Sequence, residues 1–190
     1  SANIIIFGRN ATEELAKAYQ QKIIDVWGKL TNFETLSGKY EIKWDINVTV
    51  GTCNTGDFDG KNNYIEIDSK ELLEEYKGHS FINEDMHTGA FISLTQGENV
   101  AAHEFGHLMG LKDRYEEREK PDKKGETAFY PMEGWENNIM VEPEGRADKR
   151  NLTAIVNKAV EKYEAKKNTS SQNQNFKYTY KRTVNNREKR

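Results

Sequence analysis

The sequence has a single cysteine, Cys53, and no long run of apolar residues. One cysteine cannot form a disulfide within the chain, so the fold does not require an oxidising compartment. The longest apolar stretch near the start, Ile4 to Phe7, is far shorter than the roughly 20 residues of a membrane-spanning helix. No membrane partner is therefore expected. The chain also opens without a secretory signal peptide, directly on a strand-like run, as expected for a mature form or an excised domain.

Apolar residues are few as well, since hydrophobic residues make up 35% of the chain and charged residues 31%. Eight Phe, nine Tyr and three Trp nevertheless supply material for a core, and 190 residues suit one domain. The net charge of −3 makes nucleic acid an unlikely partner. Residues 168–190 carry a net charge of +5, which leaves −8 for residues 1–167. We predict a folded domain over residues 1–167, followed by a polar, basic and flexible tail over residues 168–190.

Hydrophobic periodicity predicts a mixture of helices and strands, and therefore an α+β fold. A helix over residues 11–30 is expected to begin near Thr12. Alternating apolar residues predict one strand over residues 40–50, and residues 112–138 are expected to be mostly polar loop. Further strands are predicted at residues 4–7, 64–67 and 87–96, and further helices at residues 69–76, 98–109 and 148–167.

Two of the four histidines lie four residues apart in the stretch HEFGHLMGLKD, residues 103–113. Each residue of an α-helix turns about 100°, so His103 and His107 project about 40° apart on one face. Two imidazoles in that position can bind one metal ion. Glu104 lies on the flank of this face, where its carboxylate reaches a metal-bound water rather than the metal itself. The opposite side of the helix faces the core through Ala101, Phe105, Leu108 and Met109.

Gly110 follows the second histidine by three residues, and Asp113 comes three residues later. Glycine tolerates the left-handed conformation that ends a helix, so the chain can turn back over the histidines. Asp113 then brings a carboxylate toward the ion, although an aspartate here can also serve as a cap or loop residue. Two nitrogens, one oxygen and a water make a four-coordinate zinc with an open position, the arrangement of catalytic sites. We predict one catalytic Zn²⁺ bound by His103, His107 and Asp113.

The same stretch resembles the zinc-binding signature of the metzincin peptidases, in which a histidine usually stands where this chain has Asp113. That departure is similar to the snapalysin-like branch, which also uses aspartate. Metzincins have a methionine turn below the metal, and the resemblance implies that Met140, at the end of NNIM, supplies it. A core methionine is the alternative interpretation. The position of a metal-reaching tyrosine in some metzincins is occupied here by Glu142, which leaves Tyr115 or Tyr130 to supply a phenol or to pack.

The resemblance also implies a fold and an activity. The fold would be a metzincin-like α+β zincin, with an α/β-type N-terminal subdomain, a mixed twisted sheet, two long helices and an active-site cleft. A small C-terminal subdomain would contain the methionine turn and the closing helix. The activity would be that of a zinc endopeptidase, a hydrolase acting on protein or peptide substrates with Glu104 as general base. We expect a monomeric bacterial protein that is secreted or delivered as an effector domain.

Two segments are candidates for substrate binding. An extended substrate would pair with an edge strand through Gly89, Ala90 and Phe91. In metzincin-like proteins the segment after the methionine turn lines the pocket for the side chain beyond the scissile bond. Carboxylates at Glu142 and Glu144 would favour Lys or Arg there, unless both point to solvent.

Three alternatives remain open. A deformylase-like amidohydrolase would use Cys53 as its third zinc ligand, although VGTCNTG does not resemble the cysteine segment of that family. A non-catalytic, metal-stabilised binding module would have no need of a base at Glu104. The segment DFDGKNN, residues 57–63, offers oxygens for Ca²⁺ but matches only part of a calcium loop, so an ordinary turn is favoured.

Overall fold

A computed structural model of the chain describes residues 1–35, 38–53, 61–68, 80–84, 87–92, 97–157 and 159. The chain divides into two units, Ser1–Leu152 and Thr153–Arg190, and the fold set out here is that of the first. The predicted tail and the predicted boundary at residue 167 lie outside the described residues, as do the predicted helix at 69–76 and most of the segment 57–63. These remain predictions.

The described elements combine nine strands with three helices. In chain order they are β1 (Ala2–Phe7), α1 (Glu13–Trp27), β2 (Asn32–Thr35), β3 (Gly38–Glu41), β4 (Ile46–Val50), β5 (Asn62–Ile67), β6 (Phe81–Ile82), β7 (Thr88–Phe91), α2 (Asn99–Leu108), β8 (Tyr115–Lys120), β9 (Lys123–Pro131) and α3 (residues 149–157). Within these residues, no helix is both long and apolar enough to cross a bilayer. The mixture confirms the prediction of an α+β fold.

The core of the first unit is a five-stranded mixed sheet in the order β4-β1-β5-β7-β6. The first four strands are parallel, and β6 pairs antiparallel with β7. Ile6, Ile65 and Ile67 are fully buried, because a parallel sheet needs cover on both faces. The sheet therefore supplies a rigid layer against which the helices pack.

Helix α1 begins at the predicted position and provides part of that cover. Thr12 is the N-cap, and its hydroxyl accepts a hydrogen bond from the Leu15 N–H at 3.1 Å. Tyr19, Ile23 and Trp27 recur at intervals of four residues, which places them on one buried stripe. The stripe faces β4 and α2.

Trp27 fixes α1 to α2 through both packing and hydrogen bonding. Its indole N–H donates to the carbonyl of Ala102 at 2.9 Å, inside the core. Its ring contacts Phe105 edge-on, with centroids 6.1 Å apart, and Trp44 packs on both rings. Since Ala102 and Phe105 flank the histidines of α2 in sequence, this aromatic cluster holds the back of the candidate site.

The prediction of one strand over residues 40–50 was wrong. The segment divides into β3, which pairs antiparallel with β2, and β4, which pairs parallel with β1 in a different sheet. Between them the Trp44 indole donates to the Leu30 carbonyl, and the Asp45 carbonyl accepts from Ala2 N–H. These bonds turn the chain from one sheet to the other, which alternation of apolar residues cannot reveal.

The prediction of a mostly polar loop over residues 112–138 was also wrong. Residues 115–131 form the hairpin β8–β9, paired from Tyr115↔Pro131 to Glu119↔Thr127 and closing at Lys120↔Lys123. Most of its side chains are exposed on both faces, so the strands lack the apolar alternation that marks a half-buried strand. The hairpin starts two residues after Asp113.

A third correction concerns the edge of the main sheet. The strand with Gly89, Ala90 and Phe91 was expected at the edge, but β6 pairs with it through Phe81↔Ala90 and Ile82↔Gly89. A Cβ added at Gly89 would lie 2.4 Å from the Phe81 carbonyl oxygen, which shows how closely β6 covers β7. In the described residues β6 is therefore the edge strand on this side.

Candidate metal centre

The helix α2 carries the histidine pair and ends in a tight reversal at Gly110. The N–H of Gly110 donates to the His107 carbonyl at 2.8 Å, and the N–H of Leu111 donates to the Gly106 carbonyl at 3.0 Å. These two bonds form a Schellman motif, which needs a left-handed residue at Gly110, where φ is 83°. The predicted role of Gly110 in ending the helix is confirmed.

The same reversal orients the imidazole of His107. Its Nδ1–H donates to the Leu111 carbonyl at 2.9 Å, while Nδ1–H of His103 donates to the Ile139 carbonyl at 2.6 Å. A carbonyl can only accept, so the proton of each neutral ring must lie on Nδ1. Each Nε2 therefore presents a lone pair toward the other histidine, the tautomer that a metal ligand requires.

Asp113 closes a triangle with these two nitrogens. The Nε2 atoms of His103 and His107 lie 3.3 Å apart, and Asp113 Oδ1 lies 3.3 Å from each of them. Around a tetrahedral ion with bonds of about 2.0–2.1 Å, neighbouring ligand atoms are about 3.3–3.4 Å apart, because the edge of a tetrahedron is about 1.63 times the distance from its centre to a corner. The spacing is therefore compatible with Zn²⁺ and leaves the fourth corner for a water or substrate atom.

The electrostatics of the triangle favour positive charge at its centre. Burial acts to lower the pKa of His107, but the Asp113 carboxylate, the negative charge of Glu104 and the bond to the Leu111 carbonyl together raise that pKa to about 9. Burial acts to raise the pKa of Asp113, but its contacts with the two histidines hold that pKa well below the usual range. The two shifts have a shared cause, the close contact between the Asp113 carboxylate and the His107 imidazole in a partly buried place.

Glu104 lies beside the triangle as a buried acid. It is 4% exposed, and its Oε2 makes no hydrogen bond to the described residues. Burial raises its pKa to about 7, although the two histidines act in the opposite direction. One carboxylate oxygen of Glu104 and one nitrogen of each histidine lie within 4.8 Å of one another, so the three residues can bind a metal ion. A carboxyl group of this pKa can both take up and release a proton near neutrality.

Met140 lies beneath the histidines and is completely buried. A Cβ added at Gly106 would lie 2.3 Å from the Met140 sulfur, so the methionine packs directly on the helix between the histidines. Its N–H donates to the side chain of Asn138, and its carbonyl accepts from Arg114 N–H. Met140 thus connects α2 to the segment that carries Asp113.

Asn138 holds this turn in place from below. It is 1% exposed, yet its side chain is fully bonded, because Nδ2 donates to Asp148 and Asn151 while Oδ1 accepts from Asn151 and Met140. Sequence reasoning missed Asn138 and Gly106. An asparagine and a glycine carry no signal of their own that separates such a site from an ordinary turn.

A cleft of about 470 Å³ opens onto the triangle and Glu104. Its other walls are Ser80 with β6, residues 111–113 and Tyr115. Tyr115 lines the cleft, and burial together with the negative charge of the nearby Asp113 carboxylate raises the pKa of its phenol to about 12. Of the two tyrosines considered from the sequence, the structure therefore brings Tyr115 to the site, while Tyr130 does not line the cleft.

Other predicted residues lie elsewhere. Glu142 and Glu144 are exposed and do not line the cleft, and Glu144 accepts a hydrogen bond from the Asn99 side chain. Residues 89–91 lie behind β6, as described above. Cys53 is partly exposed and is not in the metal-binding group found among the described residues, so the deformylase-like alternative gains no support.

Comparisons with models of protein families, with curated proteins and with solved structures each gave no match.

Proposed function

We propose that the protein is a zinc-dependent endopeptidase of the metzincin type. The observation that supports this most directly is the 3.3 Å triangle of His103, His107 and Asp113, with the unbonded Oε2 of Glu104 beside it. Three protein ligands with one open corner are typical of catalytic zinc sites, whereas structural sites are closed by a fourth protein ligand. A base placed beside the open corner has a use in hydrolysis and none in a structural site.

The proposed reaction is hydrolysis of a peptide bond in the cleft. Zinc, when bound, supplies Lewis-acid chemistry that polarises the peptide carbonyl and acidifies water. Glu104 accepts the proton of the attacking water at its unbonded oxygen and later delivers that proton to the leaving amine. The group that takes the proton must also give it up, and Glu104 has a buried oxygen, Oε2, with no hydrogen bond to the described residues.

The order of elements supports the metzincin assignment. A strand and a long helix come first, then further strands, the helix with the histidines, a reversal at Gly110, a turn ending at Met140 and a last helix. The packing of Met140 against Gly106 beneath the histidines is what a methionine turn requires. The short antiparallel strand β6 takes the place that the sequence had suggested for residues 89–91, along the wall of the cleft.

The test is cleavage of an unfolded protein substrate by the zinc-loaded wild type and by Glu104→Gln. We expect the variant to keep its zinc and its melting temperature while its activity falls by roughly 100- to 10,000-fold, because an amide cannot accept the proton. Glu98→Gln is the matched control, since Glu98 is an exposed glutamate at the start of the same helix. Near-normal cleavage by Glu104→Gln would refute the mechanism. Stoichiometric zinc in a wild type that cleaves nothing would indicate a structural site instead.

A further inference from the structure

The hairpin β8–β9 is joined to the cleft at its base. Its first residue, Tyr115, lines the cleft, and the ring of Phe129 meets that tyrosine edge-on with centroids 4.8 Å apart. Phe129 is 53% exposed, the more exposed of two large hydrophobic side chains at the surface of the described residues. The aromatic wall of the cleft therefore continues onto the surface of the hairpin.

The two faces of the hairpin differ in charge. Directly paired residues of antiparallel strands point to the same side, so Tyr115, Glu117 and Glu119 share a face with Pro131, Phe129 and Thr127. The hydrogen bond from the Thr127 hydroxyl to Glu117 Oε1, at 2.5 Å, agrees with this assignment. We call this side the aromatic-acidic face. Its paired positions, all of them described, include two carboxylates and no Lys or Arg.

The opposite face is charge-paired. Arg118 forms an ion pair with Glu116 and lies over the ring of Tyr130 at 6.0 Å, and Lys120 forms an ion pair with Glu126 at 2.9 Å. Cations therefore neutralise the carboxylates on that side but not on the aromatic-acidic face. Such an uneven distribution favours a basic ligand on one side of the ribbon only.

We propose that the aromatic-acidic face extends the substrate site beyond the cleft and binds an extended polypeptide segment with an apolar or aromatic side chain followed by Lys or Arg. The inference rests on the proposed function, since it assigns the face to the substrate of that cleft. The apolar side chain packs on Phe129, and the basic side chains lie by Glu117 and Glu119.

The spacing of the face suits an extended chain. Alternate residues of a strand are about 6.6–6.8 Å apart, so the positions of Tyr115, Glu117 and Glu119 match alternate side chains of an extended peptide. Glu117 and Glu119 each already accept one hydrogen bond within the hairpin, from Thr127 and from the Gly125 N–H. Those bonds use Oε1 of each side chain and hold both carboxylates in place on the face.

The test measures binding rather than cleavage, by fluorescence anisotropy of labelled peptides on the zinc-loaded Glu104→Gln protein. One peptide has the pattern Phe-Ser-Lys-Ser-Lys, which puts Phe and both Lys on the same side of an extended chain, and a second peptide of equal length has Ser in place of Phe and Glu in place of Lys. In this background we compare Glu117→Gln/Glu119→Gln with Glu116→Gln/Glu126→Gln, which change the net charge equally on opposite faces. Gln retains an oxygen that can accept the internal hydrogen bonds.

We expect the first pair of substitutions to weaken binding of the Phe/Lys peptide about 3- to 10-fold at low salt, and the control pair to change it less than twofold. The loss should shrink in about 1 M NaCl, where charges are screened beyond about 3 Å. Phe129→Ser should weaken binding about tenfold at either salt concentration, and Phe129→Leu should restore most of it, because the contact is apolar.

Equal effects of the two charge pairs, or unchanged binding by Phe129→Ser, would overturn the inference. Cleavage assays keep it separate from the proposed function. If the wild type cleaves the Phe/Lys peptide and the Phe129→Ser and Glu117→Gln/Glu119→Gln variants cleave it equally well, the proposed peptidase activity would be supported. The extended substrate site would then be refuted. If the variants show the expected binding pattern but the wild type cleaves nothing, peptide binding on this face would be supported and the proposed peptidase activity would be refuted.

Discussion

The two sides of the candidate site are positioned by different kinds of interaction. His103, Glu104 and His107 lie within five consecutive residues of α2, and helical geometry alone puts them together. Asp113, Tyr115 and Met140 lie in the chain after that helix, which we call the connection side, and meet the helix through tertiary contacts. The first set depends on one helix staying folded, whereas the second depends on several contacts outside it.

The largest effect on zinc binding is expected when one metal ligand is removed from either side of the site. His107→Ala and Asp113→Ala should each lower zinc affinity by more than the roughly 10- to 100-fold that loss of a supporting residue costs. Competition with a chelator of known affinity measures the loss. Lys112→Ala, an exposed residue next to Asp113 in sequence, serves as the control. If Asp113→Ala left zinc affinity unchanged, the connection side would contribute no ligand.

A second test acts where the two sides touch, at Gly106 and Met140. Gly106→Ala places a methyl group against the Met140 sulfur, and such overpacking should lower the free energy of unfolding by about 1–3 kcal/mol. Chemical denaturation gives this value. In a Met140→Ala background the same substitution should cost much less, because the sulfur is gone. Equal costs in both backgrounds would show that the helix and the turn are not coupled through this contact.

The contrast between the two sides also explains how much the sequence could predict. The histidine pair, the capping threonine of α1 and the reversal at Gly110 follow from short-range rules, and the structure confirms their positions. The hairpin β8–β9 has charged residues on both faces, so no apolar alternation marks it. The edge strand β6 has only two residues, too few to show any period. Glu142 and Glu144 were placed by analogy with the segment after a methionine turn, and burial could not be read from their positions.

A smaller effect is expected at Tyr115, which acts only on the connection side. Tyr115→Phe removes the hydroxyl that lies near the Asp113 carboxylate and keeps the ring that packs on Phe129. Zinc affinity should fall about 10-fold, the lower end of the range for residues that orient a metal ligand. Tyr130→Phe on the same hairpin is the matched control and should change nothing. A fall of equal size in both variants would point to the hairpin as a whole.

The smallest effect on stability and zinc content is expected when residues outside the site, the C-terminal segment 168–190, are removed. Truncation after Lys167 removes the basic segment 168–190, which lacks apolar periodicity. The melting temperature and zinc content should match those of the full chain. A drop of several degrees on truncation would show that the segment packs on the folded domain.

The central claim is that His103, His107 and Asp113 bind one zinc ion beside Glu104. X-ray diffraction from crystals of the full chain, recorded on both sides of the zinc absorption edge, tests this most directly because it locates the ion itself. The account predicts one anomalous peak per chain, at about 2.0–2.2 Å from both Nε2 atoms and from a carboxylate oxygen of Asp113, with Glu104 farther away. A peak bound by Glu104 in place of Asp113, or no peak between the histidines in zinc-loaded crystals, would contradict it.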